Sequence, residues 1–129
     1  MGHLDAYEFD GEYLTWTTDG ANAGTVFYRN GKFNCTNVCG ILKLNPDFDA
    51  YYVSHVLQKS THAYVSTNLA NPKLMNNTMS QVRLHLPSYD KQVKASKLLR
   101  AFDLKLTKSQ KVYSLFLKEK EYLLSKMFI

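Results

Sequence analysis

The spacing of apolar and polar positions changes several times along this chain. Residues 7–9 and 13–16 are short aromatic and β-branched runs flanking Asp10-Gly11-Glu12, a pattern that predicts two strands joined by a turn. A polar loop over 19–24 follows, then a strand over 25–28, a turn at Arg29-Asn30-Gly31-Lys32 and another strand from Phe33. Asn30-Gly31 is the strongest local hairpin signal. After Asn45-Pro46 the period lengthens: Phe48, Tyr51, Tyr52, Val56 and Leu57 recur at helical spacing and predict a helix over 47–59, with Asp47 as its N-cap. Residues 60–79 are rich in Ser, Thr and Asn and read as a long functional loop, since structured elements lie at both ends. Residues 81–86 then alternate, with Val82, Leu84 and Leu86 on one face of a last strand.

All six glycines lie between Gly2 and Gly40, and from Ser88 to Ile129 there is neither glycine nor proline. This asymmetry divides the chain into a turn-rich sheet region, 1–86, and a helical arm, 87–129. Ser88 stands in N-cap position and Asp90 in the first turn, where a negative charge suits the helix dipole. Phe102, Leu106, Tyr113, Phe116, Leu123 and Met127 fall on alternating four- and three-residue steps, with Ser109 and Lys120 as polar interruptions, which is a coiled-coil type of stripe. A bend near Phe102-Asp103 is compatible with Asp103 capping a second segment. An arm this long cannot bury its stripe against so small a globule, so a second helix is expected along it. The fold class is mixed α+β: a small, mainly antiparallel sheet domain followed by a long C-terminal helical arm.

Charge sharpens this division. The chain carries +5 overall, but residues 1–86 hold six Lys/Arg against seven Asp/Glu, and residues 87–129 hold ten against four. The basic excess therefore belongs to the arm, where it solvates a helix face or adds phosphate contacts. No apolar run is long enough to cross a bilayer, and the N-terminus lacks a signal-peptide layout, which makes the cytoplasm the expected location. Cys35 and Cys39 sit in a segment read as strand, where they share a face but stand too far apart for a disulfide, so buried reduced thiols are expected. His3, His55, His62 and His85 are scattered and form no zinc pattern with the cysteines. Gly20 and Gly24 fit neither a P-loop nor a dinucleotide fingerprint, and no nucleophile elbow occurs. No catalytic or metal-binding residue is assigned.

The run Phe9-Asp10-Gly11-Glu12-Tyr13-Leu14, then Asp19-Gly20-Ala21, Gly31-Lys32-Phe33 and Thr36-Asn37, resembles the later part of a target recognition domain from the DNA specificity subunit of type I restriction-modification enzymes. Pro72-Lys73-Leu74, Leu86-Pro87-Ser88, the helix start containing Gln92, and the ending Leu123-Leu124-Ser125-Lys126-Met127-Phe128-Ile129 resemble the approach to that family's helical spacer and the spacer's end. The resemblance covers the C-terminal part of one recognition domain plus its spacer. Lys91 departs from it, standing where members usually place an acidic residue before the glutamine.

The resemblance implies a non-catalytic subunit that binds double-stranded DNA and grips modification (methyltransferase) subunits through helical spacers, with a restriction subunit joining for cleavage. It implies no cofactor of its own; S-adenosylmethionine and ATP belong to the partner subunits. Base-edge contacts are then expected from short amides and hydroxyls on two loops: Thr17, Thr18 and Asn22 in the first, and Ser66, Thr67, Asn68, Asn71, Asn76 and Asn77 in the second, with Lys73 meeting phosphate. The arm's stripe, Phe102, Leu106, Tyr113, Phe116, Leu123 and Met127, is the expected interface for self-association. The near-neutral sheet region predicts weak DNA binding by the chain alone. The alternative is a truncated fragment that binds no DNA, or a protein-interaction module that oligomerises through its helix; steep loss of binding with salt separates DNA contact from apolar protein contact.

Overall fold

The computed structural model describes residues 6–67 and 70–127. It is an α+β arrangement: a three-stranded antiparallel sheet, three α-helices and one 3-10 turn. The strands are β1 (Phe9–Thr17), β2 (Val26–Phe33) and β3 (Cys39–Leu42). The helices are α1 (Ala50–Thr61), α2 (Asn76–Met79) and α3 (Tyr89–Met127). Two compact units result, Met1–Val93 and Lys94–Ile129.

β1 is the central strand, in the order β2-β1-β3, and pairs antiparallel with both neighbours. The two expected turns, at Asp10-Gly11-Glu12 and Asn30-Gly31, are not turns; both lie inside continuous strands. They face each other, because Gly11 and Gly31 are cross-strand partners with φ of 129° and 106°. Only glycine adopts such backbone without strain, so each strand passes through a conformation that other residues would resist. The real hairpin connection is the 18–25 loop. Because β2 and β3 flank β1, residues 34–38 form a short crossover.

That crossover overturns the expectation for the cysteines. β2 ends at Phe33, a turn follows in which Cys39 N–H donates to Thr36 O (3.2 Å), and Cys35 and Cys39 come within 5.7 Å between Cα atoms and form a disulfide. A straight strand would have held them apart; the turn is what brings them together. Neither cysteine is fully buried.

One sheet face builds the core. Leu14 and Trp16 of β1 pack with Ala50, Val53 and Leu57 of α1 and with Leu74 and Met79. Trp16 and Gly40 are cross-strand partners, and a Cβ on Gly40 would overlap the indole ring, so this close approach requires glycine. Phe9, Tyr13 and Phe33 form a separate aromatic group, with ring centroids 5.3–5.8 Å apart.

Helix α1 is capped by Asp49, whose carboxylate accepts the Tyr52 N–H at 2.8 Å, rather than by Asp47. Residues 82–86 alternate as expected, with Val82, Leu84 and Leu86 against the core, but pair with no strand and so form an extended segment. Gln92 is buried: its Oε1 accepts the Asp49 N–H (3.0 Å) and its Nε2 donates to Pro87 O (2.9 Å). One amide therefore ties the start of α1 to the start of α3.

Helix α3 is continuous through Phe102-Asp103, with Thr107 Oγ1 donating to Asp103 O (2.9 Å). It spans about 58 Å at 1.5 Å per residue. Residues 101–127 are exposed on every side, including Phe102, Leu106, Tyr113, Phe116, Leu123 and Met127. No helix among the described residues is long and apolar enough to cross a membrane.

Candidate nucleic-acid interface

The two polar loops, far apart in sequence, meet along a line of main-chain hydrogen bonds. Leaving β1, Thr18 donates its N–H to Val38 O (2.9 Å) and accepts the Leu74 N–H on its carbonyl (2.7 Å). Gly20 N–H donates to Pro72 O (2.9 Å), and Asp19 bridges Lys73. Lys73 in turn exchanges main-chain bonds with Ser66, at 2.9 and 3.3 Å. From the core below, Trp16 Nε1 donates to Leu74 O (2.9 Å), fixing the second loop to β1. The first loop is anchored at its far end by Thr61 Oγ1, which donates to Gly24 O (2.7 Å). Backbone groups that bond each other this way hold the loops at a defined spacing before any ligand arrives.

The expected contact residues divide into two groups on this frame. Asn22, Ser66, Thr67, Asn71, Asn76 and Asn77 are exposed. Asn76 and Asn77 open the short helix α2, where Asn77 Oδ1 accepts the Thr78 N–H (2.9 Å). Thr18, by contrast, is buried, so its part is to join the loops rather than to face a ligand. Thr17 is half-buried as the last residue of β1. Asn68 lies outside the described residues.

Lys73, expected to meet phosphate, lies 3.9 Å from the Asp19 carboxylate, and its side chain is 40% exposed. A surface pair at that distance contributes at most about 1 kcal/mol, so a phosphate can compete for the ammonium, but the carboxylate offsets its charge in the free protein. Sequence reasoning misses Asp19, because nothing in the residue order places it opposite Lys73. It misses Trp16 likewise, although the lone tryptophan of a chain is a reasonable place to look for a buried N–H that needs a partner. Among the described residues no group of His, Cys, Asp and Glu is arranged to hold a metal ion. On α1 the His55 ring contacts Tyr51, and burial pushes its pKa below the ordinary 6.5.

Residues 1–114 match the type I restriction modification DNA specificity domain. The chain belongs to that family. This specificity-domain chain is 43% identical over 104 residues to the N-terminus of a putative type I specificity subunit of Mycoplasma pneumoniae, covering 79% of the chain and 55% of the relative. It is 39% identical over 104 residues to the specificity subunit of a type I restriction enzyme from the same organism, covering 80% of the chain and 31% of the relative. A third relative, a putative type I specificity subunit of that organism, is 35% identical over 133 residues, covering 97% of the chain and 36% of the relative. The specificity-domain chain thus spans about half or less of the length of these relatives.

Proposed function

We propose that the chain is a non-catalytic, sequence-specific DNA-recognition component of a type I restriction-modification system, working in the cytoplasm and directing partner methyltransferase and restriction subunits to their target. The observation that carries this reading is the pairing of the two polar loops: main-chain bonds join Thr18 to Leu74, Gly20 to Pro72 and Ser66 to Lys73, and Asn22, Ser66, Thr67, Asn71, Asn76 and Asn77 on these loops and the short helix after them are exposed amides and hydroxyls. Asparagine bonds adenine through two hydrogen bonds, and Ser and Thr serve either base, so such a surface suits duplex edges. Lys73 supplies the cation for a neighbouring phosphate. S-adenosylmethionine and ATP are held by the partner subunits.

The exposed stripe of α3 supports a second role, association with a like helix from a second copy or from the same assembly. Its residues alternate at the spacing of a coiled-coil seam, and residues 101–127 of the helix are exposed. The modification subunit docks on this arm.

Two measurements test the proposal. The first is the solution mass of the chain alone and mixed with a modification subunit of the same locus; a defined-ratio complex is expected, and a monomer that ignores that subunit refutes the partner assignment. The second is the salt dependence of duplex binding by that complex. Binding should fall steeply between about 50 and 200 mM salt, as phosphate contacts require, and salt-independent capture would identify a protein-interaction module instead.

A further inference from the structure

The turn that carries Thr36, Asn37 and Val38 has no part in the surface described so far, although Thr36-Asn37 is among the residues behind the family resemblance. Its position is adjacent to that surface. Val38 O accepts the Thr18 N–H (2.9 Å), and Cys39 pairs with Thr17 across the β1–β3 ladder, so the turn abuts the root of the first loop. Its chemistry suits base recognition as well, because Thr36, Asn37 and Val38 are exposed and offer a hydroxyl, an amide and a methyl-bearing apolar group. These are the side-chain types that meet either base, adenine, and the thymine methyl. A hollow of about 150 Å³ beside the turn is lined in part by Thr17, Phe27, Arg29, Thr36 and Val38. Arg29 lies over the Phe27 ring at 4.9 Å and its Nε donates to Thr15 Oγ1 at 3.4 Å, so the guanidinium is held at the hollow by a bond that does not use its two terminal nitrogens.

The turn is also held in place covalently. The Cys35–Cys39 disulfide closes it, and Cys39 N–H donates to Thr36 O (3.2 Å). A segment ordered before binding loses less entropy on contact than a free loop. We infer that the 36–38 turn is a third reading segment of the same DNA surface, with Asn37 meeting a base edge, Arg29 meeting the adjacent phosphate and, in the oxidised protein, the disulfide holding the turn in its binding conformation. This rests on the DNA-reading function proposed above.

The test is selection from a pool of duplexes with randomised central positions, sequenced after binding at low salt to the chain in complex with a modification subunit of the same locus. Wild type, Asn37→Ala, Asn37→Asp and the Cys35→Ser/Cys39→Ser double variant are compared, with thermal unfolding of each followed by circular dichroism. Asn37→Ala should unfold with wild type and lose preference at one base-pair position by roughly 5- to 100-fold while keeping it elsewhere. Asn37→Asp, which keeps the size but not the amide donor, should change the preferred base at that same position. The double cysteine variant should keep the preferred sequence and bind it several-fold more weakly. Preferences unchanged in both Asn37 variants overturn the inference and leave the other two loops as readers. A wild-type chain that enriches no sequence removes the DNA-reading function itself, and this inference with it.

Discussion

Replacing Phe116 with aspartate should separate copies of this chain. Phe116 sits mid-stripe on α3 and is 64% exposed. A phenylalanine offers about 200 Å² for burial, so closing a helix over it removes on the order of 130 Å² from water, worth about 3 kcal/mol at 25 cal/mol per Å². A symmetric pair loses that contribution twice, about 6 kcal/mol, which is roughly four powers of ten in the dissociation constant. Desolvating the new carboxylate adds to the loss. Sedimentation equilibrium over a range of micromolar concentrations reads the effect directly. The wild type should be dimeric where the variant is monomeric, and Lys118→Ala, which lies off the stripe, should behave as wild type. A variant that keeps the wild-type mass at every concentration shows that the seam runs elsewhere, and a wild type that is monomeric throughout removes self-association altogether.

Other consequences follow from the first unit. Gly40→Ala forces a methyl into the Trp16 indole and should cost about 1–3 kcal/mol in urea unfolding; a midpoint equal to wild type would mean the ring moves aside freely. Gln92→Ala leaves the Asp49 N–H and Pro87 O without their partner and should cost about 1–3 kcal/mol by the same assay, whereas no loss would mean that water replaces the amide. For His55, burial lowers the folded pKa, so below 6.5 the unfolded chain takes up its proton first. Its contribution to stability is complete above pH 6.5 and is lost as pH falls through the folded value; His55→Gln should flatten that part of the stability profile, and an identical pH slope in the variant rejects the assignment.

How far the fold is legible depends on how local each signal is. The α3 helix is written in residues three and four apart, and the structure reproduces it. Helix α1 forms with its start displaced from the expected one, because Asp47 and Asp49 are equally good caps by residue type and only the position of the Tyr52 N–H selects Asp49. The strands depart from the pattern where glycine signals a turn. Gly11 and Gly31 look like punctuation one at a time, and only the register shows that they face each other within a ladder. The disulfide escapes detection for a related reason: if residues 33–39 are straight strand, the cysteines cannot meet. Residues 82–86 have a strand's alternation without a strand's partner, and alternation alone reflects burial rather than pairing. For the candidate site, the residue types are visible but not their arrangement. That Asp19 and Gly20 touch Lys73 and Pro72 depends on bonds between segments more than fifty residues apart, and Thr18, attractive for its hydroxyl, is buried at that junction.

The order of synthesis gives the Gln92 tie a kinetic meaning. Everything that completes the first unit, up to and including the amide that joins Asp49 to Pro87, leaves the ribosome before the apolar stripe of α3 does. Domains fold as units in that order during translation. The loops can therefore be assembled on a nascent chain that does not yet display the exposed apolar residues of α3, which appear only when a finished first unit already precedes them. A variant that delays closure at Gln92 would expose an unfinished head and a mature stripe together, the combination most prone to misassembly and aggregation.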